Sequence, residues 1–240
     1  MNKKNSNVFV YLLLGIGGIF FISCFISSCG KTTVLPAASN ILYQVVNLSP
    51  DLLPVNLLID NNNKNSSPYT YPNPSGYFAL TSIDTPFQIR SSSVLVSTTN
   101  FVSSDTLLKN NLRYTLFITG LRANNSVTSI LTVDTASAVT AGRGKIRFVN
   151  ASPGSGGIDI TANSTYAFTN RLYLGVSKFI ELPAGNYDFK AYPTGNTTTL
   201  LSDLPGITVQ DGKIYTLYCR GIVARTDSAA FGLAVIPNNP

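Results

Sequence analysis

The chain has 240 residues, of which 44% are hydrophobic and 12% charged, and it carries a formal net charge of +6 without a single histidine. A missing histidine excludes a Ser-His-Asp triad, a Cys-His pair, histidine metal ligands and an imidazole base. With 11 acidic residues, Glu181 the only glutamate among them, candidates for a carboxylate pair or an oxygen-lined metal cage are few, so the composition points away from an enzyme, a cofactor or a resident metal.

Lys3 and Lys4 precede an almost uncharged run of 18 residues, 8–25, the layout of a basic n-region followed by the apolar h-region of an export signal. That length is near the lower limit for a membrane span. An uncleaved anchor is therefore the alternative, and with Lys3 and Lys4 kept in the cytoplasm it too exports the rest of the chain. Ile26-Ser27-Ser28-Cys29-Gly30 resembles the lipobox of bacterial lipoproteins, where an aliphatic and two small residues precede the lipid-modified cysteine. Cys24, followed by the bulky Phe25, fits that pattern less well. The resemblance implies a signal peptide over 1–28, a mature chain beginning at Cys29 with its thiol in a diacylglycerol thioether, and attachment to a bilayer through acyl chains such as palmitate.

Loss of residues 1–28, which hold two of the 17 basic residues, leaves 212 residues and a net charge of +4. Lys and Arg are not clustered, which excludes a nucleic-acid partner or a polybasic membrane footprint. Residues 29–40 are polar and small and read as a tether. With Cys29 acylated, Cys219 has no intrachain partner. Its place directly after the apolar run 215–218 makes it a buried small residue, not a nucleophile.

The remainder is one unit written twice. Val46-Asn47-Leu48-Ser49-Pro50 recurs as Val149-Asn150-Ala151-Ser152-Pro153, a shift of 103, and Val55-Asn56-Leu57 meets Ile158-Asp159-Ile160 at the same shift. Phe87-Gln88-Ile89-Arg90 aligns with Tyr187-Asp188-Phe189-Lys190 at 100, and Tyr114-Thr115-Leu116-Phe117 with Tyr215-Thr216-Leu217-Tyr218 at 101. This predicts a first domain over 41–138 and a second over 145–240, each of a usual domain size, with a linker at 139–144 whose glycines suit a hinge.

In the first copy, Asp60-Asn61-Asn62-Asn63-Lys64-Asn65 gathers oxygen donors as a calcium loop would. It lacks the glycine and bidentate glutamate of an EF-hand and reads as a solvated turn. The stretch 68–77 concentrates proline and tyrosine and cannot be an interior strand. Exposed tyrosines give flat, amphipathic contact area at low entropic cost, which makes Tyr69, Tyr71 and Tyr77 candidate contacts for an envelope protein or a glycan. The alternative is a connecting loop whose rings cover the edge of the core. Asp105-Thr106-Leu107, Asp134-Thr135-Ala136 and Asp227-Ser228-Ala229 resemble short acceptor sites for O-linked glycans on exported proteins.

In the second copy the period is two throughout. Residues 145–149, 158–160, 179–182, 187–190 and 213–217 read as short strands rich in β-branched and aromatic side chains. Arg143, Lys145 and Arg147 alternate and are expected on a solvated strand face. Asp211-Gly212, matched by Asn110-Asn111 in the first copy, predicts a two-residue type I′ turn with positive φ at both positions. Short strands at intervals of roughly 8 to 12 residues predict an all-β protein of two tandem antiparallel sandwiches.

The second copy resembles the domain of unknown function 4397 family, found in exported and surface proteins of bacteria, often in tandem. Residues 146–153 are similar to its opening strand and Ala-Ser-Pro turn, Leu182-Pro183-Ala184-Gly185-Asn186-Tyr187 to its Pro-Ala-Gly hairpin, and Gly212-Lys213-Ile214-Tyr215-Thr216 to its closing Gly-x-x-Tyr-Thr. The first copy keeps Ser49-Pro50 and Tyr114-Thr115 but lacks the Pro-Ala-Gly turn. The resemblance implies immunoglobulin-like β-sandwiches and brings no agreed activity. The expectation is an exported, lipid-anchored, non-enzymatic protein of the cell envelope, on the outer membrane by preference, that presents a binding or structural surface. The alternative is a self-assembling pilin-like or extracellular matrix subunit, in which a strand such as 229–236 adds to a neighbour's sheet.

Overall fold

Period-two alternation becomes sixteen strands, numbered in chain order, with no helix among the described residues. The computed structural model describes residues 40–80, 85–93 and 99–239, so the export segment, most of the tether and Cys29 lie outside the described residues. In the first copy β4 (Phe78–Leu80), β1 (Ile41–Asn47), β7 (Arg113–Thr119) and β8 (Thr128–Val133) form one sheet in that order. The other sheet is β3 (Asn62–Asn63), β2 (Val55–Ile59), β5 (Phe87–Ser91) and β6 (Asn100–Ser104). The second copy repeats this order strand for strand. One sheet is β12 (Ile180–Pro183), β9 (Arg143–Asn150), β15 (Ile214–Arg220) and β16 (Gly232–Pro237), and the other is β11 (Thr165–Arg171), β10 (Ile158–Ala162), β13 (Gly185–Pro193) and β14 (Ser202–Val209). The repeat in sequence is thus a repeat of topology. Each copy also holds one parallel pairing, β1 with β7 and β9 with β15, inside an otherwise antiparallel sandwich.

The pairings correct one alignment. Phe87 lies opposite Ile59 and Phe189 opposite Ala162, which makes Phe87 and Phe189 equivalent at a shift of 102, two residues from the expected register. A slip of two keeps every side chain on its face, so alternation alone cannot detect it.

Three apolar cores follow from this arrangement. Each sandwich has its own, around Tyr43, Leu57 and Ile89 in the first and Phe148, Ile160 and Phe189 in the second. The third lies between the copies, where Val46, Leu48, Phe117 and Ile130 meet Val149, Ala151, Tyr218 and Ile236. Sheets β4-β1-β7-β8 and β12-β9-β15-β16 therefore pack back to back, and residues 40–239 stack as four layers within one compact unit. Burying a large apolar side chain contributes about 1.5–3 kcal/mol, so this third core supplies attraction between the copies.

The back-to-back packing overturns the expected solvation of the basic strand face. β9 is buried on both faces, with Lys145 and Arg147 only 8% and 3% exposed. The hinge is corrected as well. β9 already begins at Arg143, and the Lys145 ammonium donates to Ser137 O (3.0 Å), Ser137 Oγ (2.8 Å) and Ala138 O (2.8 Å). Gly142 N donates to Asp211 Oδ1 at 2.8 Å. A Cβ on Gly144 would stand 2.5 Å from Val209 Cγ1, so this glycine permits close approach and the linker is clamped.

Turn chemistry is redistributed. Asp60-Asn61 (φ 49° and 59°) and Asn163-Ser164 (φ 48° and 68°) carry the paired positive φ of hairpin turns, joining β2 to β3 and β10 to β11. At Asp211-Gly212 only Gly212 (φ 71°) is left-handed, and the turn joins β14 to β15 in different sheets. A corner between sheets does not need the twist match that makes hairpins select type I′.

Candidate binding surface at the seam and the loop end

The repeated Asn-x-Ser-Pro motif braces the ends of β1 and β9. Asn47 and Asn150 accept through Oδ1 from Ser49 N (3.2 Å) and Ser152 N (3.1 Å). The two serine hydroxyls donate to Gly120 O (2.8 Å) and Gly221 O (2.6 Å). Both glycines are left-handed (φ 88° and 73°), and an added Cβ would meet the carbonyl oxygens of Ser126 at 2.0 Å and Ala230 at 2.1 Å. The repeated tyrosine is a second brace. The phenol oxygens of Tyr114 and Tyr215 accept from Lys109 N (2.9 Å) and Gln210 N (3.1 Å), each five residues upstream. Cys219 donates its thiol to Asn150 Oδ1 (3.0 Å), and burial pushes that thiol up to about 12, which leaves it inert near neutrality.

At the seam the polar groups form one network. Asp134, fully buried, accepts from Thr115 Oγ1 (2.6 Å), Thr132 Oγ1 (2.9 Å), Tyr77 OH (2.7 Å) and Arg147 Nη2. Arg147 also donates to Thr216 Oγ1 (2.9 Å), Val133 O (2.7 Å) and Thr132 Oγ1 (2.8 Å), and its guanidinium lies 4.8 Å from the centre of the Phe179 ring. Burial lowers the Arg147 pKa from its ordinary value, and the Asp134 charge opposes that shift. The cross-copy contacts are reciprocal. Arg220 Nη1 donates to Tyr71 OH (3.0 Å), while Thr119, the equivalent of Arg220, lies 3.4 Å by Oγ1 from the hydroxyl of Tyr173, the equivalent of Tyr71. Phe117 and its equivalent Tyr218 face each other with ring centres 5.6 Å apart. Contacts of this form are those of an isologous pair.

The same contacts orient the stack. Thr119, at the end of β7, donates to Ala151 O just past the end of β9 (2.6 Å). Val133, opposite Tyr114 at the start of β7, is reached by Arg147 midway along β9, four residues before Ala151. β7 and β9 therefore run in the same sense, and with their parallel partners β1 and β15 all four end together. The chain enters β1 after Asn40 at the opposite end. Large apolar side chains exposed on loops at the far end include Leu53, Leu172, Leu174 and Leu200. Leu174 is held at φ 68°, a conformation that leucine rarely adopts.

The three candidate tyrosines do not form one patch. All are half-buried. Tyr69 packs on the first core, Tyr71 pairs with Arg220 under the loop end, and Tyr77 is committed to Asp134. In Asp134-Thr135-Ala136 the aspartate is buried and the threonine hydroxyl accepts from Arg113 N (3.0 Å). Thr106, Thr135 and Ser228 are all exposed. Sequence reasoning gave no contact role to Arg220 and took Lys64 only as part of the solvated 60–65 turn. A shift of 102 would have matched Tyr71 to Tyr173 and drawn attention to the seam, but no local signal marks Lys64.

Lys64 and Tyr69 border a groove of about 500 Å³ on the open side of the first sandwich, between the chain that follows β3 and strand β4. Hydroxyl and amide side chains of Ser66, Ser67, Thr70 and Asn73 share its lining with the Phe78 ring.

Among protein families, Domain of unknown function (DUF4397) matches residues 42–161 and again residues 144–240. No curated protein matches. Among solved structures, the Bacillus anthracis TIE protein is similar at 9% sequence identity with a TM-score of 0.25, over 83% of this chain and 44% of that one, so this chain spans less than half of its length.

Proposed function

We propose that this chain, which belongs to the DUF4397 family, is an exported, non-enzymatic lipoprotein of the bacterial cell envelope, held to the membrane through Cys29, with a rigid two-copy body that presents a binding surface. The observation that carries this reading is the polarity of the stack. The chain that leads from Cys29 enters at one end, and the loops that carry Leu53, Leu172, Leu174 and Leu200 occupy the other, although Leu107, also exposed, stands at the entry end. The state of the acidic side chains supports a non-enzymatic role. Asp51 accepts from Arg122 N (2.8 Å) and Ala123 N (2.9 Å), Asp134 closes the seam, and Asp159 accepts from Asn170 N (2.7 Å) and Gly195 N (3.0 Å). These carboxylates are engaged in structural hydrogen bonds.

The test is fatty-acid labelling of the full chain expressed with its own signal, wild type against Cys29→Ala. Label that disappears in the variant, together with a shift of the mature mass to polypeptide plus lipid, is expected. A membrane-bound but unlabelled wild type would identify an uncleaved anchor and sink the lipoprotein reading. The run 229–236, named as a donor strand only in the alternative of an assembling subunit, contributes β16, which pairs with β15 of its own chain.

A further inference from the structure

The groove on the first sandwich differs from the corresponding place in the second. There β11 runs for seven residues along β10, and the gap between β11 and β12 is about 270 Å³, lined by Tyr166, Tyr187, Ile180 and Leu182 without a charged group. In the first copy the equivalent strand β3 has two regular residues, and the chain then bulges away from β2 after Lys64 and returns to it at Tyr69, which pairs with Val55. The bulged edge borders the larger, more polar groove.

The walls of this groove are fixed. Asn65 accepts from Leu57 N (2.8 Å) and donates to Asn56 Oδ1 and Ser67 O (both 2.9 Å). Lys64 N donates to Leu57 O (2.9 Å), and Tyr69 exchanges backbone hydrogen bonds with Val55 (2.8 and 3.1 Å). The outer edge of β2 is thus already satisfied by its own chain, and no free ladder awaits a peptide strand. What remains are side chains. Aromatic surface comes from Tyr69 and Phe78, hydroxyl and amide groups from Ser66, Ser67, Thr70 and Asn73, and a single charge from Lys64. Among the described residues Lys64 makes no ion pair. A preformed cleft of this size with a few placed polar groups accommodates one or two sugar rings. A hydroxyl-rich ligand also matches a rim of hydroxyls and amides better than an apolar one would.

We propose that this groove is a saccharide site selective for acidic sugars, in which Lys64 receives the carboxylate of a uronic acid residue and Tyr69 lines the ring position. The proposal deepens the binding-surface reading and rests on it, but it does not depend on the lipid anchor. Carboxylate recognition by an ammonium is a charge-assisted contact, stronger than the neutral hydrogen bonds around it.

Calorimetric titration of the detergent-solubilised full chain with an oligogalacturonate and with a neutral galacto-oligosaccharide of the same length tests it. The acidic oligomer is expected to bind more tightly. Lys64→Gln should weaken it by about tenfold, the size of one charge-assisted hydrogen bond, and leave any binding of the neutral oligomer unchanged. Lys64 is half-buried and makes no ion pair among the described residues, and an unaltered urea midpoint shows that the variant folds. Equal binding of the two oligomers, no binding of either, or acidic binding untouched by Lys64→Gln overturns the proposal. Failure here leaves the fatty-acid labelling result standing, and failure of the labelling leaves this titration standing.

Discussion

Arg147→Met removes one half of the buried pair at the seam and keeps most of the side-chain volume. It leaves the Asp134 carboxylate, fully buried, with Tyr77, Thr115 and Thr132 as its only donors, and it frees Thr216 Oγ1 and Val133 O from their guanidinium bonds. Breaking a buried ion pair on one side costs about 3–5 kcal/mol because an uncompensated charge stays behind. For a body with a total stability of roughly 5–15 kcal/mol that is a large fraction. With a urea slope of about 2–3 kcal/mol per molar for this size, the unfolding midpoint should fall by about 1–2 M. Replacing both partners, Arg147→Met with Asp134→Leu, removes the stranded charge and should recover most of the loss. Urea melts of the wild type, both single variants and the double variant close the cycle. A loss below about 1 kcal/mol for Arg147→Met, or a double variant as unstable as the sum of the singles, would show that the pair is not the node described.

Two further outcomes follow from the same geometry. Gly120→Ala and Gly221→Ala should each cost about 3 kcal/mol or more, because the new methyl meets a carbonyl oxygen near 2 Å in a left-handed backbone. Gly154→Ala, also left-handed (φ 76°) but with nothing within 4 Å, should cost about 1 kcal/mol in the same melts; equal losses would refute the close-approach argument. Burial raises the Asp159 pKa, but bonds from Asn170 N, Gly195 N and Thr194 Oγ1 outweigh it, and the folded value is lowered. A carboxyl with a lowered folded pKa contributes stability above the unfolded value, about pH 4, and that stability is lost as pH falls through the folded value. Stability measured from pH 6 downward should therefore fall less steeply in Asp159→Asn than in the wild type, and identical slopes would rule the group out as an acid-sensitive brace.

The fold was legible because its two strongest signals are local. Strand alternation and the shift near 100 residues sit in the sequence whatever the tertiary arrangement. The same alternation concealed what is buried outside each sandwich. Arg147 on an alternating strand looks like an outward charge, and only the second sheet packed against it turns outward into inside. β11 was missed because its face pattern is weak, with Phe168 its only buried residue, and because its turn, Asn163-Ser164, lacks the glycine that usually marks a hairpin. The candidate tyrosines were found as a cluster in sequence and separated in space, since a loop that crosses the edge of a seam sends successive rings to different neighbours. The groove depends on where an edge strand bulges away from its neighbour before it returns at Tyr69, a matter of pairing that residue type does not reveal.

The seam also explains why two nearly equivalent copies differ where they do. Gln44, Thr115 and Asp134 in the first copy occupy the positions of Arg147, Thr216 and Asn238 in the second. Gln44 pairs in register with Thr115 as Arg147 does with Thr216, and Asp134 and Asn238 donate to Arg113 O and Ile214 O in the same way. An isologous pair of first copies would set Asp134 against Gln44 twice and bury two carboxylates without a cation. A pair of second copies would set Arg147 against Asn238 and bury two guanidinium groups without an anion. Only one copy of each kind places a single cation against a single anion, and unpaired buried charge is the more costly outcome. The apolar third core supplies attraction to any of the three pairings, so the choice among them rests on these few polar positions. The Lys145 clamp on residues 137 and 138 then holds the correct partner beside its mate, which favours closure within one chain over exchange between chains.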